Sequence, residues 1–411
     1  MRLKDAAYIN RHVLPETTDP DYSFKYIDIS AVDKLGTITL PEEQTRFKTA
    51  PSRARRVAPV GSTIISTVRT YLRSIAQVPP ADEQLVFSTG FAVFEAKPDV
   101  DGRFLSYACR SQQFIDEVVA RSVGVSYPAI NPSELGMIEV ALPGIEEQHR
   151  IADFLDAETA RIDSLMITQR KARAVLLERR AANVFAAVTG SEIAERMPSK
   201  LAWTDSLPAT WRSIKLGHFA RMGSGHTPSR AHPEWWEECT IPWITTGEVS
   251  QVRDDRREVL TQTRERISEI GMANSSAELH PKGTVVLCRT ASAGYSAIMG
   301  EDMATSQDFV TWTCGPQLDP FYLLWCLRAM RSDLLGRLAM GSTHKTIYVP
   351  DLQALRIPLP PIAEQYQIVA DIHASNASVD AAVDSIDCQA VLLAERRQAL
   401  ITATVTGGIS A

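Results

Sequence analysis

The chain contains two copies of one module, and this duplication constrains its fold more than any other feature of the sequence. When the sequence is shifted by 217 positions, residues 142–190 align with residues 359–407 without a gap, and 18 of those 49 positions are identical. A period of this length indicates duplication of whole domains, because the repeats of solenoid proteins run about 20–50 residues. Each copy consists of a variable part followed by a well-matched tail.

Weaker matches extend the duplication upstream. In the same register, Phe104, Cys109 and Gly124 align with Phe321, Cys326 and Gly341. With gaps, residues 61–66 resemble residues 283–288, and Tyr26-Ile27 resembles Trp243-Ile244. We therefore expect both copies to share one fold.

The tail of each copy predicts a long helix. In the second copy, apolar residues recur every seven positions at Ile372, Val379, Ile386, Leu393 and Leu400. The first copy has Leu155, Ile162, Gln169, Leu176 and Asn183 at the equivalent positions. Such a seam is typical of paired helices, in which single polar residues can fix the register. The alternative is that each helix packs separately on its own domain.

Residues that favour helix ends bound each tail. Pro143 and Pro360-Pro361 come just before the apolar pattern, and Gly190 and Gly407 come just after it. Proline is tolerated at a helix start, and glycine is favoured just past a helix end. The first helix would span about 60 Å at 1.5 Å per residue.

The variable parts predict α/β domains. Residues 63–68, 91–94, 284–288 and 309–312 are short runs of β-branched and aromatic residues typical of strands. Residues 104–119 and 321–339 have helical periodicity, and residues 191–209 form a polar connector that contains Pro198 and Pro208. The expected fold class is α+β, with two α/β domains and a pair of long helices.

Composition excludes several classes of protein. The chain has 411 residues, of which 45% are hydrophobic and 22% are charged, so it should fold throughout into two or three domains. No apolar run reaches the roughly 18 residues of a membrane span, and no secretory signal follows Met1, so we expect a cytoplasmic protein. The six cysteines show no C-x-x-C spacing and are expected to be reduced. Cys239, His226 and His232 fit no known zinc pattern, so no metal site is expected.

Catalytic motifs are missing from the sequence. It contains no G-x-x-x-x-G-K-[ST], H-E-x-x-H or G-x-S-x-G element. The Asn/Asp-Pro-Pro-aromatic element of amino-methyltransferases is also absent; Asn131-Pro132-Ser133 and Asp319-Pro320-Phe321 match it only in part. No recognisable catalytic set is therefore present as a sequence motif, and a set assembled in space from distant residues would not be visible in this way.

Positive charge is concentrated locally, although the net charge of the whole chain is −6. That sum argues against bulk, sequence-blind coating of nucleic acid. Residues 46–73, however, hold seven cations and no acid. Such a density suits phosphate contacts, and arginine can also read guanine edges. A solvated loop or a site for an acidic protein is the alternative.

Two sets of residues are candidates for DNA contacts. In the first copy they are the aromatic and basic residues Arg53, Arg55, Arg56, Arg69, Tyr71 and Arg73. In the second copy they are hydroxyl and basic residues in loop-like segments: Ser224, Thr227, Ser229, Arg230, Arg289, His344 and Lys345. Loops of this composition can donate to phosphates, but they can equally be plain turns.

The sequence resembles the specificity subunit of Type I restriction-modification systems. Three stretches carry the resemblance: residues 207–244, which include Gly223 to Arg230 and Ile241-Pro242-Trp243-Ile244; residues 341–368, which include Pro360-Pro361 and Glu364-Gln365; and residues 142–180. Together with the duplicated layout they cover nearly the whole chain. The first variable part matches the family only in outline.

The resemblance implies a function and a domain layout. Two target recognition domains (1–143 and 207–360) would each read one half of a split double-stranded DNA site. Two spacer helices (144–190 and 361–411), packed antiparallel, and a linker (191–206) would complete the chain. Two modification subunits carrying S-adenosylmethionine would methylate adenine N6, and restriction subunits would cleave DNA with ATP and Mg. This chain itself would have no catalytic residues and would bind no cofactor. A scaffold that binds two protein partners, and no DNA, is the alternative function.

Overall fold

The computed structural model describes residues 1–341 and 345–408. The chain forms two compact units, the first comprising Met1–Ala172 with Ser385–Ala411 and the second comprising Arg173–Asp384. Each unit therefore joins one variable part of the sequence to segments of both long helices. Because a stretch near the C-terminus belongs to the first unit, that unit is discontinuous in sequence.

The first unit contains nine strands and begins the first long helix. The strands are β1 Ala7–Ile9, β2 His12–Val13, β3 Ser23–Ile27, β4 Thr45–Arg46, β5 Ala54–Val57, β6 Thr63–Ser66, β7 Ile75–Gln77, β8 Leu85–Ser88 and β9 Phe91–Ala96. The helices are α1 Leu3–Ala6, α2 Gly102–Cys109, α3 Gln112–Arg121, α4 Pro132–Gly136 and the long α5 Ile145–Thr189.

Two sheets organise the first unit. One has the order β1-β9-β6-β7 and is antiparallel, and the other has the order β2-β5-β8-β3-β4 with β3 and β8 parallel. Ile65 and Phe94 of the first sheet share a core with Phe104 of α2 and with Ile401 and Val405 near the C-terminus. Burial of these last two side chains explains why the C-terminal segment belongs to this unit.

The second unit has fourteen strands among its described residues. They are β10 Arg196–Pro198, β11 Ser206–Pro208, β12 Arg212–Lys215, β13 Ala220–Ser224, β14 Ile241–Ile244, β15 Val259–Leu260, β16 Glu265–Ile267, β17 Val285–Cys288, β18 Ser296–Met299, β19 Ala304–Thr305, β20 Phe309–Cys314, β21 Ala339–Met340, β22 Thr346–Ile347 and β23 Arg356–Leu359. Its helices are α6 Glu269–Ala273, α7 Pro320–Ala329, α8 Arg331–Asp333, α9 Val349–Gln353 and the start of α10 Ile362–Val405. The main sheet has the order β13-β20-β17-β18-β15.

The structure confirms that the copies share a fold. Gly61 precedes β6 with φ of 85°, and Gly283 precedes β17 with φ of 84°. Tyr26 on β3 and Trp243 on β14 occupy equivalent parallel pairings, with β8 and β19 respectively. The gapped alignment of these upstream segments is therefore right.

At helices α2 and α7, the structural correspondence between the copies is shifted by one residue from the 217-residue sequence register. Asp101 caps α2 by accepting from the Phe104 backbone N–H, and Asp319 caps α7 by accepting from that of Tyr322. The caps are 218 residues apart, so Phe104 corresponds to Tyr322. The sequence alignment of Phe104 with Phe321 is wrong by one position.

Two predicted segments are subdivided. The expected helix over residues 104–119 is two helices, because Ser111 accepts from the Phe114 N–H and starts α3 anew. In the second copy, α7 ends at Ala329, and α8 and a π-helical turn, Leu334–Leu338, follow it. The polar connector over residues 191–209 contains a two-stranded hairpin, β10 with β11.

The repeated Glu-Gln signature has a structural reason. The buried Gln148 side chain accepts from the Asp101 backbone N–H at 2.9 Å and donates to the Pro143 carbonyl at 2.8 Å. Gln365 makes the same two bonds to Asp319 and Pro360, each at 2.9 Å. The glutamine therefore ties the start of α5 to the N-cap of α2 and the start of α10 to the N-cap of α7.

In each unit, the segments of the two long helices run antiparallel. In the first unit, Asp163 pairs with Arg397 and Gln169 bonds Gln389, so residue numbers rise on one helix as they fall on the other. In the second unit, Asn183 donates to the Ser375 hydroxyl at 3.1 Å. Both polar residues predicted in the first seam thus make cross-helix hydrogen bonds. The helices contain 45 and 44 residues, about 67 Å each.

Candidate nucleic-acid interface

In the first unit, the β6–β7 loop (residues 67–74) is a closed, strained turn. The Ser66 backbone N–H donates to the Ser74 carbonyl at 3.0 Å, which closes the loop at its base. Arg69 and Arg73 flank the turn with φ of 51° and 57°, in the left-handed region. Non-glycine residues hold such angles at a cost of about 1–3 kcal/mol each, so the surrounding contacts must fix them.

A second loop, residues 123–129, lies against the first. Val123 and Ala129 exchange two backbone hydrogen bonds, of 2.8 and 3.0 Å. Gly124 has φ of 115°, and a Cβ there would lie 3.0 Å from the Tyr127 carbonyl oxygen. This turn therefore requires glycine at position 124.

Four contacts join these loops into one surface, which we call the first loop pair (residues 67–74 and 123–129). Val68 forms a β-bridge with Ala129. The Arg69 N–H donates to the Pro128 carbonyl at 2.7 Å, and the Arg69 guanidinium lies over the Tyr127 ring at 4.9 Å. The hydroxyl groups of Thr70 and Ser122 are 2.8 Å apart. The first loop pair thus presents Arg69, Tyr71 and Arg73 from a fixed backbone.

The structure places Arg53 beside the first loop pair. The Arg53 carbonyl accepts from the Thr89 N–H at 2.8 Å, and the neighbouring Gly90 carbonyl accepts from both the N–H and the hydroxyl of Thr67. Arg53 is exposed.

Arg55 and Arg56 are less available than Arg53. The Arg55 guanidinium lies 4.7 Å from the Phe47 ring centroid and donates to the Ala54 carbonyl. Arg56 is half-buried, its Nε has no hydrogen-bond partner, and burial lowers the pKa of its guanidinium.

The second unit repeats this loop arrangement around Arg289. The Arg289 carbonyl accepts from the Ile347 N–H, and the Ala291 N–H donates to the Lys345 carbonyl at 3.2 Å. The first unit has the same bonds, from Ile130 to Thr67 and from Arg69 to Pro128. Ala291 also shares the left-handed conformation of Arg69, with φ of 61°. We call residues 289–295 with Lys345 and Thr346 the second loop pair.

A third segment of the second unit meets the second loop pair. Ser224 ends β13 opposite Val310, at the edge of the sheet where Cys288 ends β17 opposite Phe309. Just beyond β13, the Thr227 hydroxyl donates to the Gln307 side-chain oxygen at 2.6 Å. The Gln307 carbonyl in turn accepts from the Arg289 guanidinium at 3.0 Å.

Gln307 was not predicted, since nothing in its sequence context distinguishes it. Its role depends on the pairing of β20 with both β13 and β17, which brings distant segments together. Thr227, Arg289 and Lys345 therefore form one cluster.

Gly225 allows this segment to pass close to β19. A Cβ on Gly225 would lie 2.0 Å from the Thr305 carbonyl oxygen, and the His226 N–H donates to that same oxygen at 3.0 Å. The nearby His280 is fully buried, and its Nε2 atom has no hydrogen-bond partner. Burial is the main cause that lowers the pKa of its imidazole.

Ser229 and Arg230 belong to a different cluster. The Arg230 guanidinium lies 3.7 Å from the Trp236 ring centroid and donates to the Glu265 carboxylate at 3.2 Å. The Ser229 carbonyl accepts from the Trp236 indole N–H. Arg230 remains largely exposed, but its charge is shared with Glu265. His344 lies outside the described residues.

The described residues offer recognition chemistry without a metal centre. Within the described parts of the chain, no group of three His, Cys, Asp or Glu side chains could hold a metal ion. No helix of the same residues is long and apolar enough to cross a membrane. What the loop pairs present is exposed guanidinium, ammonium and hydroxyl groups on fixed backbones, which suits hydrogen bonding to phosphates and base edges.

Comparison with known proteins identifies a family. The model of the Type I restriction modification DNA specificity domain matches residues 17–172 and 208–377, one match in each copy. The MjaIX specificity subunit of Methanocaldococcus jannaschii is 28% identical over 164 residues, which cover 39% of this chain and 37% of that protein. The EcoR124I/EcoR124II specificity subunit of Escherichia coli is 26% identical over 164 residues, again 39% of each chain. The matches thus span about two fifths of these relatives.

Solved structures match over almost the whole chain. A chain from a study of complex assembly and conformational transition of the type I R-M system has a TM-score of 0.74 and 26% identity, covering 98% of this chain and 96% of its own. The HsdS subunit from Thermoanaerobacter tengcongensis has a TM-score of 0.52 and 25% identity, covering 100% and 96%. The chain belongs to the family of Type I restriction modification DNA specificity domains.

Proposed function

We propose that this chain is the DNA-reading subunit of a Type I restriction-modification complex and that it recognises a site in two halves. The observation that supports this most is the equivalence of the two loop pairs. Equivalent backbone hydrogen bonds, from Arg69 to Pro128 and from Ala291 to Lys345, hold the two loop pairs together, yet the side chains of the two loop pairs differ. One scaffold with two sets of side chains is the arrangement that a bipartite, asymmetric site requires.

Each loop pair would contact one half-site. The residues proposed for the first half are Arg53, Arg55, Arg56, Arg69, Tyr71 and Arg73. Those proposed for the second half are Ser224, Thr227, Ser229, Arg230, Arg289, His344 and Lys345. Within these sets we assign the central role to Arg53, Arg69 and Arg73 in the first unit and to Thr227, Arg289 and Lys345 in the second, because hydrogen bonds link the segments that carry each trio.

The long helices would act as the spacer between the half-sites. Major-groove faces on one side of B-DNA repeat about every 34 Å, so helices of about 67 Å are long enough to bridge two such faces. The proposed domains are residues 1–143 and 207–360, the proposed spacers are residues 144–190 and 361–411, and residues 191–206 are the proposed linker.

Chemistry would come from other subunits. In this proposal the chain is a non-catalytic cytoplasmic protein that recruits two modification subunits, which use S-adenosylmethionine to methylate adenine N6. Restriction subunits would join to cleave unmodified DNA with ATP and Mg.

The test is to co-express this chain with modification subunits and to map N6-methyladenine across the host genome. The proposal predicts methylation at one motif made of two short sequences with a fixed gap. Methylation without a bipartite motif, or no methylation with an assembled complex, would refute it. A scaffold without DNA function would give the second result.

A further inference from the structure

The first loop pair ends in an apolar tip, which we define as Tyr71, Leu72, Val123, Val125 and Tyr127. Their side chains are 54%, 41%, 79%, 101% and 66% exposed. Exposed apolar side chains grouped in this way usually mark a surface that a partner covers. The bonds described above hold both loops in place, so the tip is presented on a fixed backbone.

The charge around the apolar tip restricts what can cover it. Arg69 and Arg73 belong to the same loop as Tyr71 and Leu72, and both are exposed, as is Arg53 near the base of that loop. The sequence has no Asp or Glu between Glu43 and Asp82, nor between Glu117 and Glu134. Apolar groups with cations beside them complement a ligand with negative charge at its rim and apolar groups inside. A DNA groove has this pattern, because phosphates line its edges and the thymine 5-methyl group is the apolar part of its floor.

The second copy differs in composition at two of the aligned tip positions, although Met340 keeps an apolar side chain opposite Val123. The 217-residue register places Ser342 and His344 opposite Val125 and Tyr127. The first copy therefore has apolar or aromatic side chains where the second has a hydroxyl and an imidazole. This difference indicates that the first copy relies more on apolar contacts with base edges.

We propose that the apolar tip contacts thymine 5-methyl groups in one half of the DNA site and thereby distinguishes T·A from C·G pairs there. The contact groups are the Val125 side chain at the tip and the Tyr127 ring beneath Arg69. This inference rests on the proposed DNA-reading function and names the base feature that the first copy reads.

The experiment measures binding of the assembled complex, this chain with modification subunits, to duplexes that carry its methylation motif. Each thymine is replaced in turn by deoxyuridine, which removes only the methyl group. We expect an affinity loss of about fourfold for at least one thymine in one half-site, as burial of a methyl-sized group predicts. Thymines of the other half-site should show no such loss.

Variants connect this loss to the tip. Val125→Ser and Tyr127→His, which install the residues of the second copy, should weaken binding to the thymine duplex and abolish the difference between thymine and deoxyuridine. Val60→Ser is the matched control, because Val60 is 63% exposed but precedes β6, whereas the tip follows it. It should retain the full difference.

The outcomes separate this inference from the proposed function. If sequence-specific binding is intact but indifferent to every deoxyuridine, the inference fails and the proposed function stands. If the complex binds no sequence preferentially, the proposed function fails. If Val125→Ser weakens assembly with the modification subunits but leaves the deoxyuridine effect unchanged, the tip is a protein contact and the inference is overturned. The deoxyuridine series uses the unaltered chain, so it holds even if a variant misfolds.

Discussion

The guanidinium of Arg397 on α10 holds the carboxylate of Asp163 on α5 through two hydrogen bonds, with Nε–Oδ1 at 2.9 Å and Nη2–Oδ2 at 3.2 Å. The second unit contains the counterpart, Arg180 on α5 with Asp380 on α10 at 3.2 Å. In the 217-residue register, Asp163 aligns with Asp380 and Arg180 aligns with Arg397, so the two ion pairs are equivalent. Each unit thus contains a cross-helix ion pair whose arginine is almost buried.

Loss of this pair should destabilise the unit that contains it. We expect Asp163→Asn to lower the free energy of unfolding by about 2 kcal/mol, because it leaves the Arg397 guanidinium, 8% exposed, without its counter-charge. The effect should be smaller than the ~3–5 kcal/mol of fully buried pairs, since Asp163 is 40% exposed. Urea denaturation followed by circular dichroism measures it.

The control for that variant is Arg161→Ala, an exposed position on the same helix. It should change the unfolding free energy by less than about 0.5 kcal/mol. Equal effects of both variants would mean that the ion pair adds nothing beyond general helix stability.

The duplication, the long helices and the equivalence of the copies were predictable from the sequence, because they depend on local signals. Gly61 and Gly283 mark their strands, and prolines mark the helix starts. The break at Ser111 was missed, because a serine inside an apolar helical pattern is a cap only if the chain turns there. Gln307 was missed because its contacts to Thr227 and Arg289 arise from strand pairing over roughly 80 and 18 residues of separation.

The close approach of Gly225 to Thr305 predicts a strict requirement for glycine. Gly225→Ala should destabilise the second unit by about 2 kcal/mol, since the new Cβ would overlap Thr305 and force the backbone apart. It should also weaken DNA binding by displacing Thr227. Thermal unfolding and DNA titration check the two effects.

Gly217→Ala is the matched control for this variant, because a Cβ there meets nothing within 4 Å. If the Gly225→Ala protein were as stable as the Gly217→Ala protein, the close approach of residue 225 to Thr305 would be contradicted.

Salt dependence separates phosphate contacts from other roles of the arginines. Replacing Arg53 or Arg73 by alanine should reduce the slope of log affinity against log salt by about one, since each removes one neutralised phosphate. Arg56→Ala should change the slope less, because its guanidinium is half-buried.

Arg11→Ala supplies the baseline for the salt series. Arg11 pairs with Glu95, at the opposite end of β9 from Phe91 and the first loop pair. Equal slopes for Arg11→Ala, Arg53→Ala and Arg73→Ala would remove the last two from the proposed interface.

His280 predicts loss of stability in acid. Burial lowers the pKa of its imidazole in the folded chain, although Glu278 nearby opposes that shift. Because the folded form binds the proton less readily than the unfolded form, the stabilising contribution is present above about pH 6.5 and is lost as the pH falls below it.

The temperature midpoint of unfolding of the second unit should therefore be lower at pH 5.5 than at pH 7.5. His280→Phe should make this difference smaller. His232→Phe is the comparison, since His232 is exposed and lies outside the sheet. An unchanged pH dependence in His280→Phe would contradict the burial argument.

The most direct measurement is a methylation map of a chain in which residues 1–143 are replaced by the corresponding part of a family member with a different target. The two-reader account predicts that one half of the methylated motif changes, while the other half and the gap between them stay the same. A change in both halves, or in neither, would contradict the assignment of one half-site to each copy.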